Sequence, residues 1–333
     1  MPCTFYAERL WPFLNTPPYC QFEVPESELL SIDGELWCEY HAPIENKNME
    51  KIEKGSWDGD AIKIFNKKVL DFTNKNKDRC DLTGVIYPGV ITFPEREYSF
   101  ISFDRTRFHD VASFNGCIFK AHVPFRNAEF NCSHVWFSKA KFIGGSALFH
   151  YTHFRGGVWF DGTDFSGGAD FSSVIFSGWA NFSASRGFDS DSGVFGSISF
   201  DNSVFNKESP IYSLVGVTFE NREFLHRTSF RNCTFEEAPE FHGCTLHQDT
   251  IFPSEEYFTD IESDGAASAY RTLKLAMENA RSRNEEAMFY ALEQKSLRNR
   301  DDTPRLVKFT SYLYETFPIT GRASGGRSFG CWW

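Results

Sequence analysis

The chain of 333 residues carries 37 Phe against 4 Met and a formal net charge of −11. Its length does not limit core burial, its charge speaks against non-specific binding to nucleic acid or to an anionic membrane surface, and no stretch approaches the ~18 apolar residues of a membrane-spanning helix. So strong a bias toward one aromatic residue points to a structural slot, repeated many times, that Phe fills best.

Three regions follow in chain order, with net charges of −4 for 1–79, −9 for 80–260 and +2 for 261–333. The N-terminus, Met1 to Leu14, shows no charged segment followed by an apolar run. A cytoplasmic location and reduced thiols are therefore expected for the nine cysteines, an odd number without a short-spaced framework. Residues 1–79 read as a mixed capping region. Its sharpest feature is Trp37-Cys38-Glu39-Tyr40-His41, where Cys38 and His41 have metal-ligand spacing. Cys20 lies 18 residues before Cys38, and Cys3 is available as a fourth ligand. A zinc site of three thiolates and one imidazole is chemically open; so is a buried Cys/His pair with a purely structural role. Gly55–Asn74 is expected to form one helix, with Ile62, Phe65, Val69 and Leu70 at helical spacing, placed to cover the unpaired strand edges of the next region.

Residues 80–260 carry a repeat. Large residues recur in steps of mostly five or six from Leu82 to Phe205, and again from Phe219 to Phe252; all are Phe except Leu82, Tyr87, Tyr98 and Leu246. Neither a heptad nor a 3.6-residue helix gives this spacing. Two residues before each large one comes a small or β-branched residue, as in Val123, Ala140, Ala147, Val158, Ala169 and Ala180; Cys80, Cys117, Cys233 and Cys244 take the same slot. A two-residue offset puts both side chains on one side of an extended segment. Gly recurs two residues after the large one, at Gly84, Gly116, Gly156, Gly162, Gly167, Gly178 and Gly243, where a chain turning a corner benefits from it. Four steps make one circuit, so Leu82, Phe103, Phe125, Phe149, Phe171, Phe195, Phe219 and Phe241 are expected in one inward column. Nearly eight coils at the inter-strand spacing make a rod of roughly 38 Å. The pattern breaks at Phe188, with Arg186 in its small slot, so 183–197 and 207–216 are expected to be protruding loops. The residue after each large one should face solvent, and two such rows, beginning Asp104-Arg126-His150 and Asn115-Ser138-Asp161, mix signs. His109, His150, His153, His242 and His247 flank large positions and are expected on the outside.

In 261–333 the repeat gives way to helices. Ser263 or Asp264 can cap a helix from about Gly265, with Ala266, Tyr270, Leu273, Met277 and Ala280 as its apolar stripe. Asn284 can cap a second helix, with Glu285 and Glu286 in its first turn and Met288, Phe289 and Leu292 on its apolar side. A hairpin folded onto the last coil, a homodimer through these helices, and one long helix are the alternatives.

Segments such as Thr163-Asp-Phe-Ser-Gly167 and Ala169-Asp-Phe-Ser-Ser-Val-Ile-Phe-Ser-Gly-Trp-Ala-Asn-Phe182 resemble the Phe-centred form of the pentapeptide-repeat family. The resemblance implies an all-β solenoid, a right-handed quadrilateral β-helix, between the N-terminal capping region and C-terminal α-helices. Ala269–Glu278 and Glu286–Glu293 are similar to the segment that follows the repeats in a bacterial subgroup of the family, where membrane-spanning helices come next. Ser311–Tyr314 resembles the approach to that membrane part, and the similarity ends at Pro318.

No nucleotide-binding loop, nucleophile elbow or zinc-protease motif is present. The expectation is therefore a non-enzymatic scaffold or protein–protein interaction module with an unidentified protein partner and no cofactor. It would be the soluble part of a membrane-associated protein, touching the membrane through its C-terminal region. The alternative is a DNA-mimicking partner of type II topoisomerase, known among relatives, which needs an ordered row of carboxylates. A third reading is metal binding or enzymatic chemistry at Cys20, Cys38 and His41.

Overall fold

The computed structural model describes residues 3–5, 20–184, 194–206, 215–299, and 306, 308 and 309. From Cys80 to Phe258 the chain winds into a β-solenoid with four walls of two- and three-residue parallel strands. One wall is seven-stranded, from Ile86–Tyr87 to Thr234–Phe235. The next is six-stranded, from Ile91–Thr92 to Val217–Thr218, and another is five-stranded, from Val123–Pro124 to Thr228–Ser229. The fourth begins with three strands, Glu97–Tyr98, Ile118–Phe119 and Lys141–Phe142, and continues through bridges pairing Phe165 with Phe195 and Phe195 with Phe224.

Large pairs with large and small with small, as in Phe108–Phe130, Phe176–Phe205 and Ala147–Ala169. Amide-to-carbonyl bonds between coils, such as Phe125 N to Leu148 O and Phe149 N to Asp170 O at 2.7 Å, satisfy the backbone. In-register stacking puts rings directly over one another. Tyr87, Phe108, Phe130, Phe154, Phe176, Phe205, Phe235 and Phe258 form one continuous column with centroids 4.6–5.4 Å apart. Rings of adjacent columns meet edge-on, as Phe137 does with Phe149 at 89°. Most of these rings thus have both stacked and edge-to-face neighbours, both favourable for the aromatic quadrupole. Hydroxyls in the small slot bond inward: Thr152 Oγ1 donates to Phe125 O at 2.7 Å and Thr163 Oγ1 to Phe137 O at 2.8 Å.

Several corners are left-handed. The residue two after the large one has φ of +54 to +60° at Arg105, Asn127, Lys139, Tyr151, Ser173, Asn202, Asn221 and Asn232, and is Gly at 84, 116, 162 and 243. Gly156 and Gly178 serve another purpose. A Cβ on Gly156 would lie 2.3 Å from Cys132 O, and one on Gly178 2.6 Å from the Gly156 carbonyl carbon, so successive coils touch there backbone to backbone.

The expected column is right only as far as Phe171. Beyond it, Phe200, Phe230 and Phe252 continue the stack, while Phe195 lies beside Phe165 on the fourth wall and Phe219 stacks on Phe182. Phe188, counted as a wall position in the spacing, falls in 185–193, outside the described residues, as do Arg186 and most of the second expected loop, 207–214. The first expected loop is also too wide: Ser183 and Ala184 still form coil, and Phe195 is fully buried. The row after the large residue is not uniformly solvated. Asp104 and Arg126 are buried and form an ion pair, with Arg126 Nε 3.0 Å from Asp104 Oδ2.

Helix α1, Gly59–Lys75, closes the first end. It starts later than the periodicity suggests because Glu53–Ser56 forms a 3-10 turn and the Asp58 carboxylate accepts the amides of Asp60 and Ala61. Phe65, Val69 and Thr73 are its buried face, and the Phe65 ring stands edge-on to Tyr87, the first ring of the long column. At the other end α2, Ala266–Asn279, and α3, Arg283–Asn299, form a hairpin. Phe289 meets Phe252 and Phe258 edge-on at 5.2 and 5.4 Å, so the apolar stripe is spent on the last coil. Ala280 is exposed rather than part of that stripe. Asn284 lies inside the first turn of α3 rather than capping it. Glu293 is buried between Arg271 and Lys274, at 2.6 and 2.8 Å. Among the described residues, no helix is long and apolar enough to cross a membrane.

Ser263 does not cap α2 with its side chain; its hydroxyl instead donates to Asp260 Oδ2 at 2.6 Å. Asp260 also accepts the amides of Ala238, Glu262 and Ser263, joining coil, turn and helix. Burial pushes its carboxyl up, but the Ser263 hydroxyl and amide and the Ala238 and Glu262 amides outweigh it and hold the group below its ordinary value. A depressed carboxyl stabilises the fold above its unfolded value, and that contribution disappears as pH falls through the folded value. Asp260→Asn should therefore cost about 1–3 kcal/mol at neutral pH, as loss of buried charge-assisted hydrogen bonds. Urea titrations across a pH series should show the gap from the parent closing in acid; a gap constant with pH would contradict this role.

Candidate metal centre

Strands β1, Leu30–Ile32, and β2, Glu35–Trp37, form an antiparallel hairpin around Asp33-Gly34, both with positive φ, the tight two-residue turn that suits this pair. The hairpin delivers Cys38 directly after β2. The chain then folds into a turn in which His41 N and Ala42 N both donate to Cys38 O, at 3.1 and 2.9 Å, so Cys38 and His41 project to the same side. Thr4 pairs with Leu36 through both backbone and side chain, and this places Cys3 beside Cys38. Gln21 Nε2 donates to Asp81 O and Thr83 O of the first coil, at 2.9 and 3.2 Å, and this anchors Cys20.

The expected residues Cys20, Cys38 and His41 therefore meet, and Cys3 joins them. All four ligand atoms lie within 4.8 Å of one another. Cys20 Sγ is 3.6 Å from Cys38 Sγ, and His41 Nδ1 is 3.3 Å from Cys38 Sγ and 3.7 Å from Cys3 Sγ. A zinc tetrahedron with Zn–S of about 2.3 Å and Zn–N of about 2.0 Å has edges of roughly 3.5–3.8 Å. The other ring nitrogen, His41 Nε2, sits 3.0 Å from Thr83 O. That carbonyl only accepts, so it holds the proton on Nε2 and leaves the Nδ1 lone pair facing the three thiols. Phe5 stacks on the imidazole at 3.8 Å, and Phe22 meets it edge-on at 5.5 Å. Gly84 makes room for Phe5: with φ of +75°, its Cβ would stand 2.1 Å from the Phe5 ring.

Three thiols packed this closely cannot all ionise unaided. Hydrogen bonds from Cys20 and Cys38 pull Cys3 below its ordinary value. The hydrogen bond to Cys3 pushes Cys20 up to about 11, and hydrogen bonding to Cys20 and Cys3, with burial, pushes Cys38 up further.

One neighbour escaped the sequence reading. Lys54 is fully buried, and its ammonium donates to Glu39 O and Tyr40 O, at 2.5 and 3.1 Å, inside the Cys38–His41 turn, with the Phe65 ring 4.7 Å away. Its only signal was a Lys close to a short Gly-Ser-Trp segment, and nothing in that pattern marks it as buried.

Among the described residues, the other cysteines have no such company. Cys80, Cys117, Cys132 and Cys233 are buried, and burial raises each thiol, to about 12 at Cys80, Cys117 and Cys132 and well above its ordinary value at Cys233. The histidines expected on the outside are half-buried or exposed. His153 Nε2 is 3.0 Å from Ser177 Oγ, and His150 Nδ1 is 3.5 Å from Asp170.

The family model "Pentapeptide repeats (9 copies)" matches residues 103–148 and 143–186. No curated protein and no solved structure matches the chain. The matched residues span the coils in which the ring columns are most regular, and over them the four-walled body is similar to the pentapeptide repeats.

Proposed function

We propose that this chain is a non-enzymatic scaffold that binds a protein partner on an outer wall of its solenoid. Stacked rings fill the interior, so recognition falls to the outside. One patch there carries the reading. On the six-stranded wall Val135 and Val158 point inward, while Trp136 and Trp159 face out, half-buried and stacked at 4.4 Å, with His134 on Trp159 at 5.2 Å. In register on either side are Ser113 and Asn181. A rigid aromatic pair rimmed by small polar residues is the kind of anchor that dominates protein interfaces.

The duplex-mimic alternative finds less support. It requires rows of carboxylates, yet Arg107 pairs with Glu129, Lys120 with Glu97 and Arg126 with Asp104 across adjacent coils. The membrane-associated reading rests on the similarity of Ala269–Glu278 and Glu286–Glu293, which lie in α2 and α3, and on residues from Ser311 onward, which lie outside the described residues.

Site-specific photo-crosslinking tests the proposal in the full chain. A benzophenone amino acid replacing Trp159 should give an adduct with one defined protein. The same probe replacing Ile175, exposed on the neighbouring wall, should not. No adduct at 159, or equal adducts at both sites, would overturn the assignment. Added to a supercoiling assay, the protein should leave gyrase activity unchanged; inhibition would favour the duplex mimic.

A further inference from the structure

We propose that Cys3, Cys20, Cys38 and His41 bind one structural zinc ion that fastens the N-terminal segment to the first coil of the solenoid. The argument is separate from that for the outer wall.

The donor set selects the metal. Three thiolates and an imidazole at tetrahedral spacing suit zinc, whereas calcium and magnesium take oxygen ligands. All four positions come from protein, so no coordination site remains for water or substrate, and the role is structural. The surroundings are those of a metal site. The Cys38 amide donates to Cys3 Sγ at 3.2 Å, and Thr83 O fixes the imidazole tautomer. Charge is consistent with this. A dication with three thiolates leaves one net negative charge, and the buried Lys54 side-chain nitrogen is held against the carbonyls of the ligand turn. Burial lowers Lys54 to about 7, against the pull of Cys38, Glu39 and Cys3, and an anionic metal site beside it favours the charged form.

Connectivity gives the consequence. The ligands come from Cys3 near the N-terminus, from Cys20 on the approach to the hairpin and from the turn after it, and the imidazole is tied to Thr83 of the first coil. One ion therefore joins three separate pieces of chain to the edge that must be covered. Pieces this small rarely hold such a geometry without a staple.

Metal analysis of the full chain, purified without chelator, should find one zinc per molecule. Mercurial titration should release that zinc, and cobalt exchange should give the visible bands of a tetrahedral thiolate site. Cys20→Ser and His41→Ala should each lose the stoichiometric zinc, while Cys244→Ser, in a half-buried small slot, should keep it. The parent measurement stands even if a ligand variant fails to fold. Absence of zinc with every thiol free would overturn the proposal, as would a Cys20–Cys38 disulfide, an iron chromophore, or zinc retained in both ligand variants.

Discussion

Phe171→Ala is expected to destabilise the chain by about 3–5 kcal/mol, the range for truncating a buried Phe. The ring is fully buried. It stacks on Phe149 at 4.8 Å and Phe200 at 5.1 Å, and meets Phe160 and Phe182 edge-on, each at 5.4 Å. In a solenoid the coils above and below are held at the strand spacing by their own ladders, so the gap cannot collapse and the cavity contribution should be near its maximum. Ala169→Asp, in the buried small slot between Ala147 and Ile198, should be at least as damaging, because the new carboxylate finds no partner there. Ile175→Ala, on an exposed position of the adjacent strand, is the control and should change stability by no more than about 0.5 kcal/mol. Urea denaturation measures all three. A loss under about 1 kcal/mol for Phe171→Ala, far below the expected range, would mean the ring is not enclosed.

Arg222→Met should be comparably costly. Arg222 occupies a small slot, two residues before Phe224, and is almost completely buried. Its guanidinium donates to Phe182 O at 2.6 Å, Phe160 O at 3.0 Å and Thr163 O at 3.1 Å, and lies 4.5 Å from the Phe195 ring. Thr163 O corresponds to Ala140 O one coil earlier, which accepts Asp164 N. Here the guanidinium takes the place of a backbone donor on the wall where Phe165 and Phe195 meet edge-on, at 65°, instead of stacking. Burial lowers its pKa to about 9, against the pull of Asp161, Cys244 and Asp164, so the side chain is still charged at neutral pH. Methionine fills similar volume but leaves Phe182 O and Thr163 O without this donor, while Phe160 O keeps the Thr163 amide. At about 1–3 kcal/mol for each buried unsatisfied group, the loss should be at least about 2 kcal/mol. Arg222→Lys should recover only part of it, since an ammonium cannot span three acceptors as a planar fork does. Equal stability of Arg222→Met and the parent in urea would contradict the wall-patching role.

Much of the fold was legible because one residue type answers one geometric demand. Phe at alternating steps of five and six, with a small residue two positions earlier, follows from pairing large with large and small with small between coils. Which ring stacks on which was less legible. Phe195 fits the spacing of the first column, yet it takes a position on the fourth wall. Left-handed corners were visible where Gly fills them, at 84, 116, 162 and 243, and hidden where Asn, Arg, Lys, Tyr or Ser does. Gly156 and Gly178 fitted the spacing for a different reason, close approach between coils. Helix α1 was placed too early because the expected start, Gly55, overlooked Asp58 as the capping residue.

The candidate metal site was half visible. Cys38 and His41 announce themselves by spacing. Cys20 and Cys3 could be named beside them, but not the contacts that bring them in, Thr4 on Leu36 and Gln21 on the first coil. Lys54 and Arg222 were illegible for a shared reason: a buried cation is recognisable only from the carbonyls around it, and those come from distant parts of the chain.

Hydroxyl-radical footprinting tests the central claim, that the Phe side chains fill the interior of a four-walled tube, most directly. Oxidation mapped by mass spectrometry should fall on Met49 and Tyr151, which are 77% and 65% exposed, and should spare Phe125, Phe149, Phe171, Phe200 and Phe230. Labelling of those five at the rate of Tyr151 would contradict it.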